Sequence, residues 1–130
     1  MPREKDFQSH FSKWLQYEFP TKSAAFELKL CKGKSMPFSA VQDHQLAALK
    51  AVKSKGIIYK IPDTGFQNPF DCFKLKSNYS FVVIMYYKRG QKEFFMIDID
   101  AFISEKMTSK RKSLTEKRAK EISWRMGELK

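Results

Sequence analysis

Ala24-Ala25-Phe26-Glu27-Leu28-Lys29-Leu30 is the stretch around which the chain is organised. A period of two sends Phe26, Leu28 and Leu30 to one side and Glu27 and Lys29 to the other, the pattern of a short buried strand. A carboxylate and an ammonium on one face of an otherwise apolar strand are costly to bury unless they meet each other, a metal or a substrate.

The bulk of the chain bounds what such a pair can do. At 130 residues it has the length of one domain, and 42% hydrophobic with 15% aromatic residues is the composition of a folded one. Twenty-five Lys and Arg against 14 Asp and Glu leave a net charge of +11, which favours a polyanionic partner, most simply nucleic acid. No stretch combines an apolar face with a basic one as a membrane-surface helix does, and no run approaches the roughly 18 apolar residues of a membrane span. Cys31 and Cys72 form no CxxC pair and are too few for a disulfide scaffold. With no signal-peptide pattern at the start, an intracellular, cytoplasmic protein with reduced thiols is expected.

Outward from the strand, Phe7, Phe11, Trp14 and Leu15 recur at helical spacing over residues 4–18, and Pro20 stops that helix. Glu18 continues its stripe, either as a ligand or as the point where the helix leaves the core. Downstream, Cys31 to Pro37 is a basic turn containing Lys32 and Lys34. Phe38 to Ser54 reads as the clearest helix, with Pro37 at its start and Val41, Gln45, Leu49 and Val52 on one face. Gln45, the only polar residue of that stripe, must be hydrogen-bonded, to backbone or to a group at an active site. His44, beside it, has the setting of a packed or surface histidine.

Ile57 to Ile61 reads as a strand, Asp63 to Pro69 as a turn and Phe70 to Leu75 as the returning strand. Asp71, among apolar neighbours just beyond the turn, suits a metal ligand or an Asx-type turn, and Asp63 poses the same choice from inside the turn. The apolar run Ser80 to Tyr87 predicts a central strand covered on both faces, with Glu93 to Ile99 as its antiparallel neighbour. Asp100 is expected to cap a short helix through Ile103. From residue 106 to 130, nine Lys and Arg against three Glu supply +6 of the +11. Ser113-Leu114-Thr115-Glu116 fits a capping box, so a basic helical C-terminal segment is predicted. Lys110-Arg111-Lys112 at its entrance, with Lys117 and Arg118 inside it and Lys32 and Lys34 of the earlier turn, are the candidate nucleic-acid contacts, unless they form only a solvated face.

Hydrolysis of a phosphodiester needs an activated water and neutralisation of the charge that builds on the phosphoryl oxygens, and carboxylate-held Mg²⁺ supplies both. Glu27 and Asp71 are the candidate ligands, with the Leu28 carbonyl as a third oxygen and Glu18 as a further one. Lys29 would lie against the same phosphate.

Phe26-Glu27-Leu28-Lys29, Ser35-Met36-Pro37-Phe38, and Val41 with His44-Gln45 together resemble the core of the PD-(D/E)xK nucleases, most nearly the bacterial Holliday-junction resolvases. The paired strands Phe81–Tyr87 and Phe94–Phe102 and the segment Arg111-Lys112-Ser113 are similar to later parts of that family. The resemblance covers about two thirds of the chain. It implies an α/β (α+β) fold with a mixed central β-sheet flanked by helices, restriction-endonuclease-like. It also implies Mg²⁺ or Mn²⁺ as cofactor, branched or duplex DNA as substrate, and a homodimer, a combination that would suit a phage or mobile element. In the family the metal-binding aspartate precedes the Glu-x-Lys strand on a hairpin. Here only Pro20 to Ser23 separates the first helix from that strand, with no aspartate, and Asp71 would be the relocated counterpart. The rival expectations are a non-catalytic nucleic-acid-binding module in which Glu27 and Lys29 form a structural pair, and a nuclease directed at RNA.

Overall fold

The apolar run Ser80 to Tyr87 becomes the strand on which everything else packs. The computed structural model describes residues 3–19, 23–60, 72–87 and 92–129. In chain order its elements are α1 (Glu4–Glu18), β1 (Ala25–Cys31), β2 (Ser35–Pro37), a 3-10 turn (Phe38–Ala40), α2 (Asp43–Ser54), β3 (Ile57–Lys60), β4 (Cys72–Leu75), β5 (Ser80–Tyr86), β6 (Glu93–Asp98), α3 (Ile99–Thr108), β7 (Ser113–Thr115), α4 (Glu116–Ile122) and β8 (Arg125–Glu128). A four-stranded mixed sheet runs β1-β5-β6-β8, with β1 parallel to β5 and the other neighbours antiparallel. The expected α+β architecture, a mixed sheet flanked by helices, is therefore the one observed.

Every residue of β5 is buried, because helices cover both faces of the sheet. Phe81, Val83 and Met85 join Phe94 and Met96 under Phe7 and Phe11 of α1, while Val82, Ile84 and Tyr86 join Phe95 and Ile97 under α2, α3 and α4. The same alternation governs β1. Phe26, Leu28 and Leu30 pack on the α1 side. Ala25 and Cys31 belong to the opposite core, so Glu27 and Lys29 between them face α2. None of the helices is long and apolar enough to cross a membrane, among the described residues.

Several boundaries differ from the sequence expectations. The helix expected from Phe38 begins only at Asp43; Phe38–Ala40 is a 3-10 turn, and Pro37 ends β2 instead of opening a helix. The competing interaction is a strand pairing. Ser35–Pro37 lies antiparallel to Ser113–Thr115, and the Phe38 N–H donates to Lys112 O at 3.1 Å. Hence Ser113 belongs to a strand, and the cap of α4 is Thr115, whose Oγ1 accepts from the Arg118 N–H. Tyr86 fastens this small ribbon to the main sheet by donating from its hydroxyl to Leu114 O at 2.8 Å. The C-terminal segment is thus only partly helical. Its end, β8, adds the fourth strand: Trp124 packs on Phe19, Tyr79 and Phe81, and Gly127 passes so close to Phe94 that a Cβ would fall 2.3 Å from the ring.

α3 runs on to Thr108, and its cap is Asp98, not Asp100; the Asp98 carboxylate accepts the Asp100 N–H at 3.0 Å. Asp100 instead pairs with α2. Lys53 donates to Asp98 at 2.7 Å and to Asp100 at 2.9 Å, and Lys50 also donates to Asp100. The hydrogen bond from Lys50, followed by that from Lys53, holds the Asp100 carboxyl below its ordinary value of 3.8. Partial burial pushes the Lys53 ammonium down, but its bonds to Asp98 and Asp100 leave it above its ordinary value. A depressed carboxyl contributes stability that is fully present above pH 3.8 and lost as pH falls through the lower folded value. Urea unfolding of wild type and Asp100→Asn across pH 7 to 2 should therefore show a gap that holds down to about pH 4 and then closes. A gap constant across that range would remove Asp100 from the account.

Candidate active site

β1 supplies two of the three residues that converge, and α2 supplies the third. The Gln45 Nε2 amide donates to Glu27 Oε1 at 2.9 Å, and Lys29 Nζ lies 3.5 Å from the same oxygen. Glu27 and Lys29 retain 28% and 16% of their side-chain exposure, so the cluster is half-buried and open to solvent at one side. Gln45 is held from both ends. Its Oε1 accepts the Gln42 N–H at 2.9 Å, closing the first turn of α2, and this turns the NH₂ toward Glu27. Gln42 is a positioning residue with no sequence signal of its own; its role depends on where α2 begins.

Both interactions fall on Oε1, and among the described residues no hydrogen bond reaches Oε2. A second hard donor lies nearby along the strand. The Ala25 N–H donates to Tyr79 O and Cys31 O accepts from the Tyr87 N–H, so odd-numbered residues of β1 turn their backbone groups toward β5. Leu30 N–H instead reaches Glu4 Oε1 at 3.4 Å, so even-numbered residues, Leu28 among them, face the open edge of the sheet. One free carboxylate oxygen and one edge-facing carbonyl are the donor chemistry Mg²⁺ or Mn²⁺ prefers, in a site where the ion keeps several waters. Among the described residues, no three His, Cys, Asp or Glu side chains gather into a metal-binding group. Asp71 and Asp63, the aspartates the sequence offers as the second carboxylate, lie outside the described residues.

Glu18 is not part of this cluster. Its carboxylate takes a hydrogen bond from Arg125 of β8 at 2.9 Å, and Arg125 in turn stacks over Trp14. β8 is the edge strand opposite β1, so Glu18 is occupied at the far side of the sheet. His44 is exposed on the first turn of α2. Lys32 and Lys34 are exposed on the turn leaving β1, and Lys110, Arg111 and Lys112 on the turn entering β7. The β2–β7 pairing, which joins Ser35 Oγ to Ser113 Oγ at 2.8 Å, collects these sequence-distant cations around one short ribbon. Lys117 is exposed on α4, and Arg118 is engaged by Glu105.

Compared with protein-family models, with curated proteins and with solved structures, the chain matches none.

Proposed function

We propose that the chain is a metal-dependent phosphodiester hydrolase, with Glu27, Lys29 and Gln45 as its catalytic cluster. More particularly, it is read as an endodeoxyribonuclease that cuts branched DNA, a junction resolvase acting on intracellular DNA as a homodimer. The observation that carries this reading is the convergence of Lys29 and an oriented Gln45 amide on one oxygen of Glu27, at the open edge of the sheet. A pair of partly desolvated charges contributes little net stability, so its presence on the α2 side of β1 favours a chemical role.

In this reading Glu27 Oε2, the Leu28 carbonyl and Asp71 would hold Mg²⁺ or Mn²⁺. When bound, the ion polarises the phosphoryl oxygen and lowers the pKa of a bound water. The chain's own residues do the rest. Gln45 holds Glu27 through Oε1, which leaves Oε2 to a ligand. The Lys29 ammonium, 3.5 Å from Glu27 Oε1, would offset the charge that grows on the phosphoryl oxygens. The ribbon cations hold the flanking backbone.

The test is cleavage of a four-way junction against linear duplex, with and without Mg²⁺, by wild type and by Asp71→Ala. Cutting of the junction in Mg²⁺ by wild type, and a loss of roughly 10²-fold or more in Asp71→Ala, is the expected result. Undiminished cleavage by Asp71→Ala would end the relocated-ligand idea. Glu27 Oε1 is already satisfied by Lys29 and Gln45, which is the one observation favouring the rival, a structural pair in a non-catalytic binder. That rival predicts salt-sensitive DNA binding and no cutting in any metal.

A further inference from the structure

We propose that the trough between the end of α3 and α4 is a binding pocket for one backbone phosphate of a nucleic acid, separate from the phosphate beside Glu27. The inference rests on the polyanion-binding half of the preceding reading and is independent of its catalytic half. The trough has a volume of about 350 Å³ and is lined by Glu105, Ser109, Lys110, Arg111, Thr115 and Arg118, among others. That volume is many times the roughly 10–15 Å³ that admits one water, so a phosphate fits within it.

Its cations divide into two kinds. Arg118 is fixed: Nη2 donates to Glu105 Oε1 at 3.2 Å and Nε to Glu105 Oε2, so the fork is spent and only the Nη1 side remains, 3.7 Å from the exposed Glu121. Lys110 and Arg111 carry no side-chain hydrogen bond or ion pair among the described residues, and both are exposed at the rim. Their turn is nevertheless shaped, because the Arg111 N–H donates to Ser109 Oγ at 3.1 Å. A preset guanidinium at the wall, two uncommitted cations at the rim and hydroxyls from Ser109 and Thr115 match the oxygens of a phosphate.

The pocket shares no lining residue with the Glu27 cluster. Its Thr115 pairs with Ser35, which follows the turn that leaves β1. A strand lying along this face would therefore fill the pocket with a phosphate other than the one beside Glu27.

The experiment measures binding of a fluorescent 20-base-pair duplex in the Glu27→Gln background without Mg²⁺, so cleavage plays no part. Affinity is followed from 50 to 200 mM salt for that protein, for Lys110→Ala/Arg111→Ala in it, and for Lys5→Ala/Lys13→Ala. The last pair removes the same charge from α1, on the opposite face of the sheet. The expected result is that the pocket pair lowers the log–log salt slope by about one per lost contact, whereas the α1 pair leaves it unchanged. Each lost contact removes about a threefold share of the affinity drop over that salt range. Equal changes in both pairs, or none in the pocket pair, would overturn the pocket. A parallel titration with inorganic phosphate, read from the amide resonances of residues 109–115, distinguishes the source of the anion. Shifts there without any effect of the pocket pair on duplex binding would mean a free-phosphate site and would sink the nucleic-acid assignment. Slopes as expected in a protein that never cuts would instead count against the hydrolase reading alone.

Discussion

Glu27→Gln is expected to lower Mg²⁺-dependent cleavage by at least about 10²-fold, the scale of losing a charge placed for the transition state, while duplex affinity stays within about threefold. The substitution is nearly isosteric. The Gln45 donor at 2.9 Å can still find an amide oxygen, so α2 stays docked on β1. What disappears is the negative charge that Oε2 would offer a cation and the counter-charge 3.5 Å from Lys29. On the proposed reading binding is spared, because the exposed cations assigned to it stand on the β2–β7 ribbon and its flanking turns. Junction cleavage and anisotropy measured on one preparation, with thermal unfolding as a check on folding, read both effects. A Glu27→Gln protein that cuts at the wild-type rate removes the catalytic cluster. One that loses binding and cutting together contradicts the separation of the two surfaces.

How much of this was legible in the sequence follows from the range of the interactions concerned. α1 was readable to its last residue because Phe7, Phe11, Trp14 and Leu15 repeat at 3.6 residues and a proline follows close behind. The antiparallel pair β5–β6 is legible because its apolar run is short, rich in aromatic and β-branched residues and closed by Lys88-Arg89-Gly90, although a run buried on both faces shows no period of its own. Glu27, Lys29 and Gln45 were found together because each breaks an apolar pattern, and a misfit polar group must meet something. The start of α2 was not readable, since a pairing between Ser35–Pro37 and Ser113–Thr115, 78 residues apart, competes with the helix that Pro37 and Phe38 favour locally. The cap of α3 is not legible because Asp98 and Asp100 are equally good caps locally; α2 draws Asp100 away through Lys50 and Lys53, while Asp98 takes Lys53 on Oδ1 and still caps through Oδ2. β8 was missed outright: Arg-Met-Gly-Glu has no alternation, and its place is set by Phe94 above Gly127 and by Trp124.

Phe102→Ala is expected to cost about 3–5 kcal/mol, the range for deleting a buried phenyl ring, against a total of roughly 5–15 kcal/mol for a domain. Phe102 is completely buried on α3 and meets Phe38 edge-on at 5.7 Å. The neighbours cannot close the hole easily. Phe38 is tied to Lys112 through its backbone, and the α3 entrance is tied to α2 through Lys50 and Lys53. Urea unfolding should show a lowered midpoint at unchanged slope, while Met107→Ala, on the same helix but 79% exposed, should stay within about 0.5 kcal/mol. A comparable loss from both would mean that helix propensity, not packing, is being measured. The contact also bears on the site, because Phe38 opens the 3-10 turn that leads to Gln42, and Gln42 sets the orientation of Gln45. At a temperature where Phe102→Ala remains folded, its cleavage rate should therefore fall by less than that of Glu27→Gln and recover on further cooling, since the ring orients the cluster without belonging to it. A loss as deep as that of Glu27→Gln in the fully folded variant would show that the α2 entrance is set by this ring rather than by its own capping bonds.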